Sequence, residues 1–252
     1  MIFLTISAIA IFIAVLALLV AGFAKGISGM GLPVVATPVL TLLFDLQTAI
    51  AITIVPALLT DIIMLIRTPK NWGLIKNAAS LMMFGMCGIV VGSYALVRIH
   101  PSILSAVLGV IILLFVGTSF FAVFPAIKQR RRLDAAVGFI AGTAQGAAGA
   151  SGPIISMYML QMKMSRDEFL FMINSFFVTI DVIQLMTVYK LGLYHGPVIY
   201  YSIGAIVPAL LALAAAFALQ KKISDQVFRY SVLIMMTLSA SALLFKSIQT
   251  ML

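Results

Sequence analysis

The sequence predicts an all-α integral membrane protein, and two observations predict it: the composition and the length of the apolar runs. Of the 252 residues, 63% are hydrophobic and 9% are charged, and the mean hydropathy is +1.20. Apolar runs of about 20 residues, the length that a helix needs to cross about 30 Å of hydrocarbon, recur along the chain. A transmembrane β-barrel would instead alternate apolar and polar residues within strands of about 10 residues. We therefore expect one helical transmembrane domain, residues 1–252.

Polar residues divide the chain into apolar segments that are each predicted to be helical. In chain order they are residues 2–24, 33–44, 46–66, 77–97, 102–125, 135–160, 168–189, 197–219 and 226–250. The clearest division is the basic stretch KQRRRLD, so residues 1–127 and 134–252 are predicted to be two repeats joined by a basic loop, 128–133. The first residues lack the basic region of a cleaved signal peptide, and we expect them to remain in the mature protein.

The charge, cysteine and histidine content argue against nucleic-acid binding, metal binding and catalysis. Sixteen Lys and Arg against seven Asp and Glu give a net charge of +9, but most basic residues lie in short loops, where they orient the spans, so no nucleic-acid partner is expected. One cysteine and two separated histidines form neither a disulfide nor a metal site, and we expect no metal and no cofactor. No close carboxylate pair is evident, so an enzyme is the least favoured function class.

Two glycine-rich stretches indicate an internal repeat. GFAKGISGMGLPVVATPVL begins at Gly22, and GFIAGTAQGAAGASGPIISMYML begins at Gly138. Superposing the two Gly-Phe pairs requires a four-residue insertion before the prolines align. The resulting matches are Pro33 with Pro153, Asp61 with Asp181, and Lys25 with Ala141. Each repeat then contains a glycine-broken helix pair followed by three transmembrane helices.

The distribution of basic residues predicts that the two repeats are inverted. Residues 134–161 are too few for two full spans, which need about 40 residues, so they cross once or form a re-entrant hairpin. With the basic loop in the cytoplasm, the hairpin places eleven loop Lys and Arg residues inside and three outside, against nine and five for a single crossing. The positive-inside rule favours the hairpin. The helices that carry Asp61 and Asp181 then run in opposite directions, as is typical of secondary transporters.

The glycine breaks are predicted to form a binding site for a small anion. Irregular backbone at membrane depth is tolerated only inside protein or around a water-filled cavity. Pro33 and Pro153 stand where a helix is expected to begin, and free N–H groups with the positive end of the helix dipole attract anions there. Lys25 would add a full positive charge. The candidate binding residues are Lys25, Gly26, Ser28, Gly29, Gly31, Pro33, Gln145, Gly149, Ser151, Gly152 and Pro153, and Ser151 and Gly152 are also candidate helix caps.

Each assignment has a structural alternative. The glycines could serve only close helix packing, and Lys25 could extend its side chain to the membrane interface. Asp61 and Asp181 lie within long apolar helices, where an ionised carboxylate is costly. Together with Asn174 they are candidates for a proton relay; the alternative is that the carboxylates tether a helix or pair with a basic residue such as Arg67.

The two motifs, GFAKGISGMG followed by Pro33 and GFIAGTAQGAAGASGP, resemble those of the sulfite exporter TauE/SafE family of membrane permeases. The resemblance extends from about Gly22 to Phe245. It implies a multi-pass protein of a bacterial or archaeal inner membrane that moves sulfite or organosulfonates such as sulfoacetate. The sequence departs from the family pattern at Ala24 and Lys25, where many relatives carry apolar residues, and at Gly31 and Leu32, where a longer glycine run is common.

The function that follows is a secondary transporter, expected to be an exporter, of small sulfur-containing anions that works by alternating access. Protons are a candidate coupling ion. The lipid bilayer and the anionic substrate are the expected partners, and a homodimer is an open alternative to a monomer. A passive anion channel and a permease for non-sulfur organic anions are the alternative functions.

Overall fold

A computed structural model of the chain describes residues 8–29, 31–121, 130–162 and 164–219, with scattered positions between 234 and 248. All regular secondary structure in these residues is helical. The helices are α1 (Ala8–Ser28), α2 (Leu32–Leu43), α3 (Leu46–Arg67), α4 (Trp72–Asn77), α5 (Ala79–Arg98), α6 (Pro101–Phe121), α7 (Arg131–Ala148), α8 (Ser151–Leu160), α9 (Arg166–Lys190), α10 (Val198–Gly204) and α11 (Ile206–Leu219).

Five helical stretches are long and apolar enough to cross a membrane. They are Ala8–Ser28, Leu46–Arg67, Ala79–Arg98, Arg166–Lys190 and Val198–Leu219. Their length and composition agree with the predicted multi-pass membrane protein.

The predicted apolar segments agree with the helices at most positions and differ at the glycine motifs. The first motif starts inside α1, which continues through Lys25 to Ser28, and the run 135–160 is divided between α7 and α8. A short helix, α4, precedes α5 and was not predicted. Residues 2–7, the start of the basic loop and most of segment 226–250 lie outside the described residues.

Local sequence signals explain where several helices begin and end. Asp45 caps α3, where its carboxylate accepts a hydrogen bond from the Thr48 N–H at 2.9 Å. Ser165 and Glu168 form a reciprocal capping box at the start of α9. Gly29 and Gly149, which follow α1 and α7, have φ angles of +72° and +69°. Because that left-handed conformation is easy only for glycine, these two residues determine where α1 and α7 end.

Glycines let α5 and α7 pack with their backbones in contact. A methyl group built on Gly88 would lie 2.2 Å from the Phe139 carbonyl oxygen, and one on Gly142 would lie 2.2 Å from the Gly85 carbonyl oxygen. Small residues permit such close approach between membrane helices. The facing residues advance together, with Gly138 opposite Leu81, Gly142 opposite Gly85 and Gly146 opposite Ile89. The two helices therefore run in the same direction.

Glycines of α1 likewise allow it to pack closely against α11. A methyl group on Gly22 would lie 2.4 Å from the Ala209 carbonyl oxygen, and one on Gly26 would lie 2.5 Å from the Ala216 side chain. These contacts also advance together, so α1 and α11 are parallel. The first helix of each half thus packs extensively against a helix of the other half.

At the centre of the molecule, α3 packs against α9 in the opposite direction. Val55 lines the same groove as Met186, and Asp61 lies near Asp181. Trp72, just beyond α3, packs edge-to-face on Phe171, with 6.0 Å between the ring centroids. Residue numbers therefore increase along α3 while those of their contacts decrease along α9. The two helices are antiparallel, and they cross near the two aspartates.

Candidate functional site

A cluster of buried polar side chains lies where α1, α3, α7, α8 and α9 meet. We call it the polar cluster, and its members are Lys25, Asp61, Gln145, Ser151, Asp181 and Gln184. Each member exposes at most 3% of its surface. Charged groups inside a membrane protein are costly and are found mainly at functional sites. The polar cluster is therefore the candidate site.

Lys25 and Asp61 form a buried ion pair in the polar cluster. Lys25 lies in the last turn of α1, and its ammonium group donates a hydrogen bond to Asp61 Oδ1 on α3. The Lys25 Nζ atom also lies 4.9 Å from the centroid of the Phe177 ring, a cation–π contact. The second carboxylate oxygen of Asp61 has no hydrogen-bond donor among the described residues.

This pair excludes one structural alternative from the sequence and agrees with another, that a carboxylate pairs with a basic residue. Lys25 is 1% exposed, so its side chain does not extend to the membrane interface. Asp61 does not pair with Arg67, whose guanidinium group stacks on the Phe217 ring at 4.2 Å. The sequence missed Phe177 as a contact of Lys25; its position one helical turn before Asp181 on α9 was the available signal.

Gln145 links the other half of the polar cluster. Its amide group donates to Asp181 Oδ1 at 3.4 Å, and its carbonyl oxygen accepts from the hydroxyl of Ser151 at 2.7 Å and from the Ser151 N–H at 3.3 Å. Gln184 on α9 donates to the Gln145 main-chain carbonyl at 3.3 Å. Gln145 therefore joins the end of α7, the start of α8 and the middle of α9.

One pair of contacts in the polar cluster occurs twice, once in each half of the chain. Lys25 contacts Asp61 and Gln145 contacts Asp181, each pair being 36 residues apart. The Gly29 N–H donates to the Lys25 carbonyl at 2.8 Å, and the Gly149 N–H donates to the Gln145 carbonyl at 2.8 Å. A shift of 120 residues relates Lys25, Gly29 and Asp61 to Gln145, Gly149 and Asp181, whereas the positions equivalent to Ser151 and Gln184 are Gly31 and Met64. The residue equivalent to Lys25 is consequently Gln145.

The gapped superposition that matched Lys25 with Ala141 is wrong. At a constant shift of 120 residues no insertion is needed, and identical residues occur at Ala21, Gly22, Ala24, Gly26, Gly29 and Pro33 with their counterparts 120 residues later. The true counterpart of Gly22 is Gly142, one helical turn after the Gly-Phe pair at Gly138. Gly138 resembles it because the row of glycines by which α7 packs on α5 begins there. The match of Asp61 with Asp181 is unaffected.

The beginnings of α2 and α8 lie next to each other. A methyl group built on Gly149 would lie 3.4 Å from Pro33 Cβ, and one on Gly152 would lie 3.6 Å from the Gly31 backbone nitrogen. Pro33 is in the first turn of α2, as predicted, and Pro153 is the third residue of α8. Two helix N-termini, which carry partial positive charge, thus meet beside the polar cluster.

The remaining predicted site residues have other contacts. Gly26 faces α11, as described above, and the Ser28 hydroxyl donates to the Ala24 carbonyl at 2.8 Å. Asn174 is buried on α9 and donates to the Leu170 carbonyl at 2.6 Å, while its own side-chain oxygen has no donor among the described residues.

The predicted caps of α8 are wrong. Ala150 is the N-cap residue and Ser151 and Gly152 are already helical; the Ser151 hydroxyl bonds to Gln145 instead of capping the helix.

Replacing Gly149 with alanine is expected to destabilise the protein by about 1–2 kcal/mol, because an L residue pays that cost in the left-handed conformation. The added methyl group would also lie 3.1 Å from the Thr37 hydroxyl oxygen. The measurement is thermal unfolding in detergent. Gly204→Ala is the matched control, since a methyl group there meets no atom within 4 Å in the part of the chain that the structure describes. Equal melting temperatures for the two variants would contradict the role of Gly149.

Comparison with known proteins gives one match. The profile of the family described as sulfite exporter TauE/SafE matches residues 14–243, which is most of the chain and includes the whole polar cluster. No curated protein and no solved structure matches the chain. Among the described residues, no group of three or more His, Cys, Asp or Glu could hold a metal ion.

Proposed function

Because the chain belongs to the sulfite exporter TauE/SafE family, we propose that it is a secondary transporter of small sulfur-containing anions, such as sulfite or short organosulfonates. In this proposal it resides in the inner membrane and acts as an exporter. The family is one of membrane exporters of sulfite and related sulfur compounds, and the helical fold with five candidate spans fits a multi-pass permease.

The transport mechanism in this proposal is alternating access by two inverted repeats, 1–127 and 134–252. Three observations support it. Equivalent helices α3 and α9 are antiparallel and cross near the equivalent residues Asp61 and Asp181. The first helix of each half packs in parallel on a helix of the other half. The contacts of Lys25 recur at Gln145 after 120 residues. Inverted repeats with broken helices are a common basis of alternating access.

The substrate site in this proposal lies at the polar cluster and the two adjacent helix starts. The observation that carries it is the burial of the Lys25 ammonium group against the Phe177 ring, which a methyl group built on Gly31, just before α2, would meet at 3.4 Å. An anion placed there would meet one full positive charge and two helix dipoles. Candidate donors and lining groups are Lys25, Gly29, Gly31, Pro33, Gln145, Gly149, Ser151, Gly152 and Pro153. Gly26 and Ser28 contribute packing and a helix contact, and Asn174 lies about two helical turns before Asp181 on α9.

The test is binding and transport by the purified protein. In a thermal-shift panel of sulfite, sulfate, sulfoacetate, taurine, lactate and phosphate, we expect sulfite or a sulfonate to raise the melting temperature most, since a ligand of the folded state stabilises it. In liposomes the same anion should enter with saturable kinetics. Selective stabilisation by lactate would support a non-sulfur permease, and flux without saturation would support an anion channel; either result would contradict the proposal.

A further inference from the structure

The polar cluster contains more negative than positive groups. Lys25 is its cation, whereas Asp61 and Asp181 are both buried carboxyl groups that lie near it and near each other. With both carboxyl groups ionised, the cluster would carry a net charge of −1. A net charge at such a depth is costly, and two neighbouring carboxylates disfavour joint ionisation.

The hydrogen bonds of the polar cluster leave two acceptor oxygens without a partner among the described residues. Asp61 Oδ2 and Gln184 Oε1 are buried acceptors without a donor among the described residues. No described donor reaches either oxygen: the Ser151 hydroxyl donates to Gln145, the Gln145 amide to Asp181 and the Gln184 amide to the Gln145 carbonyl. One added proton on a carboxyl group would supply a donor and neutralise the excess charge.

No other titratable side chain faces Asp61 from the elements packed on α3. Helices α2, α6 and α11 carry no titratable residue among those described. The remaining groups on neighbouring elements are directed elsewhere: the Tyr194 hydroxyl donates to the Ala51 carbonyl, Tyr201 packs on Phe44, and Tyr189 and Tyr200 are 70% and 73% exposed. The other charged residues of α9 lie in its first and last turns, away from Asp181: Arg166, Asp167, Glu168 and Lys190. Lys25 and Asp181 are therefore the charged groups that act on Asp61.

The carboxylate of Asp61 occupies the place on Lys25 that an anionic substrate would take. An oxyanion that displaced the carboxylate would leave Asp61 buried without a cation, and one that bound to another N–H of the ammonium group would place a second negative charge beside that carboxylate; both arrangements are costly. A proton on Asp61 removes both obstacles. It releases the Lys25 ammonium group for the substrate and makes Asp61 a hydrogen-bond donor instead of a repelling acceptor.

We infer that Asp61 is the internal counter-ion of Lys25 in the empty site and that the substrate anion binds together with a proton taken up by Asp61. This inference rests on the proposed function and names its coupling ion. Transport of a monoanion is then electroneutral proton symport, because one anion and one proton bind together and the charge of the polar cluster does not change. The direction of net flux follows the combined gradients of proton and anion, so export requires a high internal concentration of the anion.

The test uses an alkanesulfonate such as methanesulfonate, which stays a monoanion throughout the pH range. Binding to the wild-type protein in weakly buffered detergent should take up about one proton, and its affinity should weaken by about tenfold per pH unit once Asp61 ionises. In Asp61→Asn, which carries no titratable group there, proton uptake should be lost and the affinity should not depend on pH. Asp45→Asn, an exposed helix cap, is the matched control and should behave as wild type.

Each outcome decides between the two proposals. Binding without proton uptake and with a pH-independent affinity in the wild type would overturn the symport inference and leave the proposed function intact. Failure of every anion in the panel to bind at any pH would overturn the proposed function itself. Should Asp61→Asn not fold, transport by wild-type liposomes decides: an acid-outside pH gradient should accelerate methanesulfonate uptake, whereas acceleration by membrane potential alone would overturn proton symport.

Discussion

Replacing Lys25 with methionine is expected to abolish anion transport and to destabilise the protein by about 3–5 kcal/mol, the typical cost of removing one partner of a buried ion pair. The Asp61 carboxylate would remain buried with one oxygen that already lacks a donor. Methionine keeps much of the lysine side chain's length, so the change tests charge more than packing. Thermal unfolding in detergent measures the first effect, and sulfite or alkanesulfonate uptake by liposomes measures the second.

A double variant separates the two effects of that replacement. In Lys25→Met with Asp61→Asn no buried charge of the pair remains, so we expect much of the lost stability to return. Transport should stay absent, because the cation that attracts the substrate is still missing. Lys76→Gln removes an exposed lysine at the end of α4 and should change neither quantity. Normal transport by the double variant would show that Lys25 does not bind the substrate.

Replacing Gly142 with valine is expected to prevent α5 and α7 from packing and to leave little folded protein. The added Cβ atom would lie 2.2 Å from the Gly85 carbonyl oxygen and 2.9 Å from the Ile89 nitrogen, both of which are backbone atoms of α5. Overpacking against side chains typically costs about 1–3 kcal/mol, and a clash with backbone leaves less room for relaxation. The measurement is the yield of monodisperse protein in detergent and its melting temperature.

The control for this replacement lies at a glycine that faces no neighbour. Among the described residues, Gly117 on α6 has no atom within 4 Å of a built methyl group, so Gly117→Val should fold with a melting temperature near that of the wild type. Gly142 faces α5 and is not a member of the polar cluster. Any Gly142→Val protein that folds should therefore retain the ion pair between Lys25 and Asp61. A Gly142→Val protein as stable as Gly117→Val would contradict the backbone contact.

Much of the fold was predictable from composition and local signals. The bilayer requires long apolar helices, and the predicted limits of α2, α3 and α9 agree with the structure within about two residues, the usual uncertainty of helix ends. Proline in the first turn of α2 was correct for the same local reason. The glycine motifs marked both helix junctions, but only Gly29 and Gly149 within them have the backbone conformation that requires glycine there.

The sequence by itself determined that the chain is a helical membrane protein with two related glycine motifs, a lysine and two intramembrane aspartates. Tertiary structure alone decided what those residues contact. The sequence does not specify that Lys25 pairs with Asp61, because that pairing depends on how α1 packs against α11 and how α3 crosses α9. The same packing identifies Gln145 as the counterpart of Lys25. Shifting the alignment of the two motifs by one helical turn leaves their glycines almost equally well matched. It changes, however, which residue of α7 is matched with Lys25, and only Gln145 contacts Asp181 as Lys25 contacts Asp61.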